Sequence, residues 1–225
     1  VTTLVYCGSL GSTAAMWEPQ LAAFPADHIF ELPGHGAAPV VDDVTVDSLA
    51  AHILETVDGS FSYVGLSLGA AIGMRVAGAA PERVEKLVLA CTSVQFGEPA
   101  QWLERAATVR AEGLEAIVDA VMARWFTPDF GDVDRWRAMF LSVDREGYAR
   151  CCEALAGRNG EADLARITAS TLIIAGTEDP TSPPAEAAKI AALVPGSRIE
   201  LIHGAAHLAN VGQPEAFNQL LEEHL

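Results

Sequence analysis

The sequence predicts an α/β fold, a mostly parallel sheet with helices on both faces. Two observations carry this. Short apolar runs recur at residues 4–7, 28–32, 61–64, 86–90, 171–175 and 198–202, and helical patterns fill most of the intervals between them. Strands alternating with helices favour parallel pairing, because each parallel connection must cross back over the sheet. Half of the 225 residues are apolar, enough for one substantial core.

Taken in order, run 4–7 leads into the glycine-rich turn Cys7-Gly8-Ser9-Leu10-Gly11-Ser12. Run 28–32 leads into Pro33-Gly34-His35-Gly36, where His35 is expected to stabilise a turn beside the site; His28, His52 and His224 read as structural or exposed. Residues 46–57 put Val46, Leu49, Ile53, Leu54 and Val57 on one helical face, ended by Asp58-Gly59. Run 61–64 enters Gly65-Leu66-Ser67-Leu68-Gly69 and then a helix lined with the small residues Ala70, Ala71 and Gly73. After run 86–90 the rhythm breaks. Residues 98–163 read as several amphipathic helices without a strand, a helical cap inserted into a core made of 1–97 and 164–225. Helices over 184–193 and 214–225 each begin with proline, which the first helical position tolerates because its N–H has no intrahelical partner. No internal repeat or low-complexity stretch interrupts this order.

The strand-to-helix setting of G-x-S-x-G makes Ser67 the candidate nucleophile. Turning within one residue strains the serine backbone and exposes its hydroxyl, while glycines at 65 and 69 remove side chains that would collide there. A serine hydroxyl is a poor nucleophile at neutral pH, so a base must accept its proton and a third group must hold the base. Glu178 and Asp179 follow the strand at 171–175, and either could be the acid. His203 ends a strand, whereas His207 lies in the loop beyond it, so His207 is the expected base. Backbone N–H groups suit the oxyanion because they are fixed beforehand. Leu68 supplies one and the turn after the first strand the other, with Leu10 preferred to Ser9. That turn lacks both G-x-G-x-x-G and G-K-[ST], so it is not read as a phosphate cradle. No His/Cys/Asp/Glu cluster has metal spacing, and the chemistry calls for no cofactor.

Fourteen basic against 30 acidic residues give a formal charge of −16, which repels nucleic acid and anionic lipid surfaces. Cys7, Cys91, Cys151 and Cys152 form no C-x-x-C pair, the start of the sequence reads as no secretory signal, and no apolar run approaches the roughly 18 residues of a membrane span. A soluble cytoplasmic protein with reduced thiols is expected. Arginines 105, 110, 124, 135, 137, 145, 150 and 158 place eight of the fourteen basic residues in the helical insertion. Such arginines usually pair with neighbouring carboxylates, but a cap rich in cations also suits an anionic substrate.

Further motifs make the chain resemble a known family. They are Gly8-Ser-Leu-Gly-Ser12 with Met16-Trp17-Glu-Pro-Gln20, Pro33-Gly-His-Gly36, Gly65-Leu-Ser-Leu-Gly69 and Ala80-Pro-Glu-Arg-Val84 in the core. Arg105-Ala-Ala-Thr-Val-Arg110, Ala123-Arg-Trp-Phe-Thr-Pro128 and Gly147-Tyr-Ala-Arg-Cys-Cys152 follow in the cap, then Ala175-Gly-Thr-Glu-Asp-Pro180 and His207-Leu-Ala-Asn210. From about residue 4 onward the chain resembles the 3-oxoadipate enol-lactone hydrolases of the β-ketoadipate pathway, in the α/β-hydrolase superfamily. The hydrolase motifs are shared by many esterases; Arg-Trp-Phe-Thr-Pro makes the lactonase resemblance more specific. The resemblance implies a Ser67, Asp179, His207 triad, with the acid immediately before Pro180 in place of Glu178. It also implies a small anionic enol-lactone as substrate, its carboxylate met by Arg124 beside Trp125. The sequence departs from the family at Gly8, usually polar, and at Glu31-Leu32-Pro33, usually carrying Asp and Arg. It opens almost on the strand that is third in this fold, so the leading hairpin is expected to be absent and another subunit, as in a homo-oligomer, is one way to cover the edge. The rival readings are an esterase for uncharged esters, a C–C bond hydrolase, a perhydrolase or haloperoxidase-like enzyme, and a non-catalytic ligand-binding relative.

Overall fold

The computed structural model describes residues 2–158 and 160–225. Its strands β1 (Thr3–Cys7), β2 (His28–Phe30), β3 (Phe61–Leu66), β4 (Val84–Ala90), β5 (Ser170–Gly176) and β6 (Arg198–Ile202) form one sheet in the order β2-β1-β3-β4-β5-β6. All five neighbouring pairs are parallel. β3 is buried along its whole length and β5 beyond its first residue, which is why these segments read as continuous apolar runs rather than alternating ones. β2 and β6 are the edge strands, and Ile29, Ile199 and Leu201 are exposed on them. The predicted strands are all present. β2 stops two residues earlier than expected because Glu31 turns away to serve a loop: its Oε1 accepts the Ala14 N–H and its Oε2 the Ala37 N–H, both at 2.8 Å.

The first connection holds a 3₁₀ turn (Ala14–Trp17) and the single turn α1 (Glu18–Leu21), which the apolar pattern did not announce. α2 (Val46–Thr56) begins at a reciprocal cap in which Thr45 Oγ1 accepts the Ser48 N–H and Ser48 Oγ accepts the Thr45 N–H, each at 2.9 Å. It buries Val46, Ala50 and Ile53, with Leu49 and Leu54 packed at the margin. α3 (Leu68–Ala79) follows β3 directly and is buried on nearly every side, with glycines at 69, 73 and 78 where neighbouring segments come closest. Gly69 is the tightest of the three glycines in α3: a Cβ there would lie 2.0 Å from the Cys7 carbonyl oxygen.

Between β4 and β5 run α4 (Pro99–Glu112), α5 (Val118–Trp125), α6 (Val133–Leu141), α7 (Arg145–Ala156) and the short α8 (Glu161–Leu164), with α4 lying along α7. Exposed ion pairs lace this region: Arg110 to Glu146 and Glu153, Arg137 to Asp119, Arg150 to Asp42 and Glu146, and Arg135 to Glu18. Among the described residues, Arg105, Arg124, Arg145 and Arg158 are in no ion pair. Arg158 is buried and donates to the carbonyls of Ser93, at 3.1 Å, and Val94. α9 (Pro184–Leu193), α10 (Ala209–Gly212) and α11 (Pro214–His224) complete the chain. No helix among the described residues is long and apolar enough to cross a membrane.

The register pairs Cys7 with Gly65, Leu66 with Ala90, Ala90 with Ile174 and Gly176 with Ile202. The carboxyl ends of the strands therefore finish level, and the loops that follow β1, β3, β5 and β6 converge on one edge of the sheet.

Candidate active site

Ser67 occupies the single residue between β3 and α3, at φ 57° and ψ −115°. Such a conformation is costly for a side chain other than glycine's and persists only where the surroundings enforce it. They do so here: the Ser67 N–H donates to the Ala90 carbonyl at 2.9 Å, and the Ser67 carbonyl accepts the Ala71 N–H at 2.9 Å and the Thr92 hydroxyl at 3.0 Å. The side chain is thereby turned off the sheet edge.

The structure brings the three predicted residues together. Ser67 Oγ lies 2.9 Å from His207 Nε2, and His207 Nδ1 lies 2.8 Å from Asp179 Oδ2. Asp179 is fixed through its other oxygen, Oδ1, which accepts the N–H groups of Thr181 at 2.8 Å and Ser182 at 3.0 Å. A carboxylate at Nδ1 selects the tautomer that leaves Nε2 free to accept from the serine. All three residues are buried, whereas the rivals Glu178 and His203 are exposed. The histidine loop is also tied to the helical region, the N–H groups of His207 and Leu208 donating to the carbonyls of Arg124 at 3.2 Å and Trp125 at 3.1 Å. A buried network fixes its far end: Asn210 Nδ2 donates to the Met16 carbonyl at 2.7 Å and to Gln20 Oε1 at 3.1 Å.

The turn after β1 is pinned on both sides of Leu10. The Ser9 N–H donates to Met16 Sδ at 3.4 Å, and the Gly11 N–H donates to His35 Nε2 at 3.0 Å. No protein acceptor serves the Leu10 N–H among the described residues, nor the Leu68 N–H, which as the first residue of α3 has no intrahelical partner. Ser9, the alternative donor, is thus already engaged.

Between this edge and the helical region lies a cavity of about 240 Å³. Ser67, His207, Leu10 and Thr181 line it from below, and Trp102, Arg105, Arg124, Trp125 and Tyr148 from above. The Arg105 guanidinium sits 4.7 Å from the centre of the Trp102 ring. Burial, and then the positive charge of Arg105, push the Arg124 guanidinium below its ordinary range. Gln101 and Trp102 were not singled out from sequence, and Arg105 was named there only among the arginines of the insertion and in the Arg105–Arg110 motif, not as a site residue. Their signal is that residues 101, 102 and 105 share a helical face on α4 that is polar and aromatic where a core-facing stripe would be aliphatic.

The four cysteines are free and buried. Burial pushes their thiols up, in Cys91 with the Asp179 charge adding to it, so all are protonated at neutral pH and none competes as nucleophile.

Residues 4–220 match the alpha/beta hydrolase family. The 3-oxoadipate enol-lactonase 2 of Acinetobacter baylyi is 33% identical over 97% of this chain and 86% of its own length. The crystal structure of the enol-lactonase from Burkholderia xenovorans LB400 superposes with a TM-score of 0.94 at 29% identity, covering 99% of this chain and 91% of that one. A hydrolase from Pseudomonas aeruginosa PA01 is similar at a TM-score of 0.89 and 35% identity, with 99% and 89% covered.

Proposed function

The chain belongs to the alpha/beta hydrolase family and is a hydrolase, and from that premise we propose that it opens a small anionic enol-lactone, 3-oxoadipate enol-lactone, to 3-oxoadipate through an acyl-enzyme on Ser67. The observation that carries this reading is the pair of guanidiniums, Arg105 and Arg124, facing the same cavity as Ser67 with no carboxylate partner among the described residues, in a chain of net charge −16. Two neighbouring cations left unpaired against that acidic background suit a ligand that brings its own negative charge. The similarity to enol-lactonases supports the same substrate class.

In this reading residues 98–163 form a cap over a core of 1–97 and 164–225. The cap's Arg124 holds the substrate carboxylate, Trp125 flanks the ring, and the lactone carbonyl faces Ser67. Ser67 Oγ attacks that carbonyl as His207 Nε2 takes the hydroxyl proton, and the imidazolium is steadied by Asp179. The N–H groups of Leu68 and Leu10 receive the oxyanion. Collapse breaks the ring C–O bond, and His207 returns its proton to the leaving enol oxygen, whose product tautomerises to the ketone. Water, deprotonated by the same histidine, then attacks the ester on Ser67, and breaking that bond with proton return restores the serine.

The test is the loss of the enol-lactone's ultraviolet absorbance on mixing with the protein, with Ser67→Ala as control and a neutral nitrophenyl ester in parallel. Lactone turnover that falls about a millionfold in Ser67→Ala supports the reading. Ester turnover without lactone turnover retains the serine chemistry and rejects the substrate; turnover that survives Ser67→Ala rejects the nucleophile.

A further inference from the structure

We infer that His35 is a positioning residue for the oxyanion site, acting as a neutral hydrogen-bond acceptor that sets the orientation of the Leu10 N–H. The inference rests on the reading of Ser67 as nucleophile and Leu10 as donor, and it assigns a role to a histidine outside the Ser67–His207–Asp179 chain.

Leu10 lies between two anchored peptide units. On one side the Ser9 N–H is taken by Met16 Sδ, and the Ser9 carbonyl accepts both the Ser12 N–H at 3.0 Å and the Ser12 hydroxyl at 2.7 Å. On the other, the Gly11 N–H is taken by His35 Nε2 at 3.0 Å. The Ser9 carbonyl shares its peptide plane with the Leu10 N–H, so Ser12 holds that plane at its carbonyl end, and His35 holds the next peptide through the Gly11 N–H and limits rotation about Leu10. Gly11 sits at φ 86°, a conformation that suits glycine, and the Phe140 ring packs over it, 2.7 Å from where a Cβ would lie.

An acceptor at Nε2 requires the proton on Nδ1, and the Pro33 carbonyl lies 3.0 Å from Nδ1 to receive it. His35 is therefore a relay between the turn after β2 and the turn after β1, and it is fully buried. Its ring stacks at 6.4 Å on Tyr148, which lines the cavity. The charged groups that act on it are Glu31 and Asp144, and both are committed elsewhere, Glu31 to the N–H groups of Ala14 and Ala37, Asp144 to those of Glu146 and Gly147. Burial outweighs their pull and keeps the imidazole neutral down to about 4. A protonated ring would turn the Nε2 acceptor into a donor facing the Gly11 N–H.

Two amides discriminate this role from packing. In His35→Gln the side-chain oxygen reaches the place of Nε2; in His35→Asn, one methylene shorter, it falls short of Gly11 at nearly the same polarity. Active sites are counted by phosphonate labelling of Ser67, and kcat and KM are measured with the nitrophenyl ester and the enol-lactone. The affinity of an alkylboronic acid, which forms a tetrahedral adduct on the serine, is measured alongside. Losing an oxyanion donor outright costs roughly a hundredfold to a thousandfold, so a misaimed one in His35→Asn is expected to lower kcat about ten- to a hundredfold, weaken the boronate by a similar factor and leave KM within about threefold. His35→Gln recovers both to within about threefold. Equal behaviour of the two variants, a loss confined to KM, or an unchanged boronate affinity overturns the inference. If His35→Asn does not fold, a folded His35→Gln whose kcat falls more than about tenfold overturns it, and recovery of kcat and boronate affinity upholds it. Because ester and boronate read the oxyanion site whichever substrate is natural, failure of the lactone reading is distinguishable from failure of this one.

Discussion

Replacing the two unpaired guanidiniums one at a time separates substrate recognition from stability. A hydrogen bond to a charged partner is worth about 1.5–3 kcal/mol, or roughly ten- to a hundred-and-fiftyfold in an equilibrium. The charged form of Arg124 is opposed both by burial and by Arg105, so a carboxylate that neutralises it there gains strongly. Arg124→Gln is expected to cost the anionic lactone about a hundredfold in kcat/KM, and Arg105→Gln about tenfold, because removing Arg105 also relieves its neighbour. Neither change touches the Arg124 carbonyl that accepts the His207 N–H, so kcat/KM for a neutral nitrophenyl ester stays within about threefold. Stability moves the other way. Deleting one of two adjacent like charges leaves the urea midpoint of Arg105→Gln unchanged or raised. Equal losses on lactone and ester, or a variant destabilised by more than about 1 kcal/mol, would refute the reasoning.

Three further outcomes follow from other parts of the molecule. Buried His35 titrates at about 4 rather than 6.5, so as pH falls the unfolded chain takes its proton first; its contribution is complete above pH 6.5 and lost between 6.5 and 4, by about 3 kcal/mol. Urea midpoints of the wild type should therefore fall more steeply over that window than those of His35→Gln, and parallel curves would refute it. Gly69→Ala forces a Cβ against the Cys7 carbonyl at 2.0 Å, an overpacking of about 3 kcal/mol that lowers Tm by roughly 6–12 °C; a melt within about 2 °C of wild type contradicts the geometry. Glu146, hydrogen-bonded by Arg110 and Arg150 and held at about 2, has a depressed pKa whose stabilisation is present above 4.5 and lost toward acid. Its side chain is 38% exposed, so solvent screening dominates and Glu146→Gln costs under about 1 kcal/mol at pH 7 by urea titration, less in high salt.

The centre of the fold was more legible than its margins, for a physical reason. β3 and β5 are buried on both faces and leave unbroken apolar runs, and the turn at Ser67 demands glycines that only a few backbones need. The order of Ser67, Asp179 and His207 was readable because each follows a strand at the same edge of a parallel sheet. The cap was readable as helical but not in detail. Periodicity locates a helix's apolar stripe; it does not fix how that helix is rotated over a cavity, and the polar face of Gln101, Trp102 and Arg105 on α4 has no aliphatic pattern to announce it. Arg110 and Arg105 lie five residues apart, yet one is spent on Glu146 and Glu153 and the other faces the cavity. That difference belongs to tertiary placement. The turn at residues 14–21 escaped notice because a single helical turn is too short to show a period.

The pair of backbone bonds from His207 and Leu208 to Arg124 and Trp125 joins selectivity to reactivity. A region that swings away as a rigid door would pull the imidazole loop with it, because these two bonds fasten that loop to the end of α5. The two amide protons are built-in reporters of that attachment: deuterium uptake at them measures how often the joint opens. The joint also constrains divergence. Lengthening or rotating α5 to admit a new ligand displaces the imidazole at the same stroke, so new specificities are reached more readily by exchanging side chains on α4 and α7, which line the same chamber without holding the histidine.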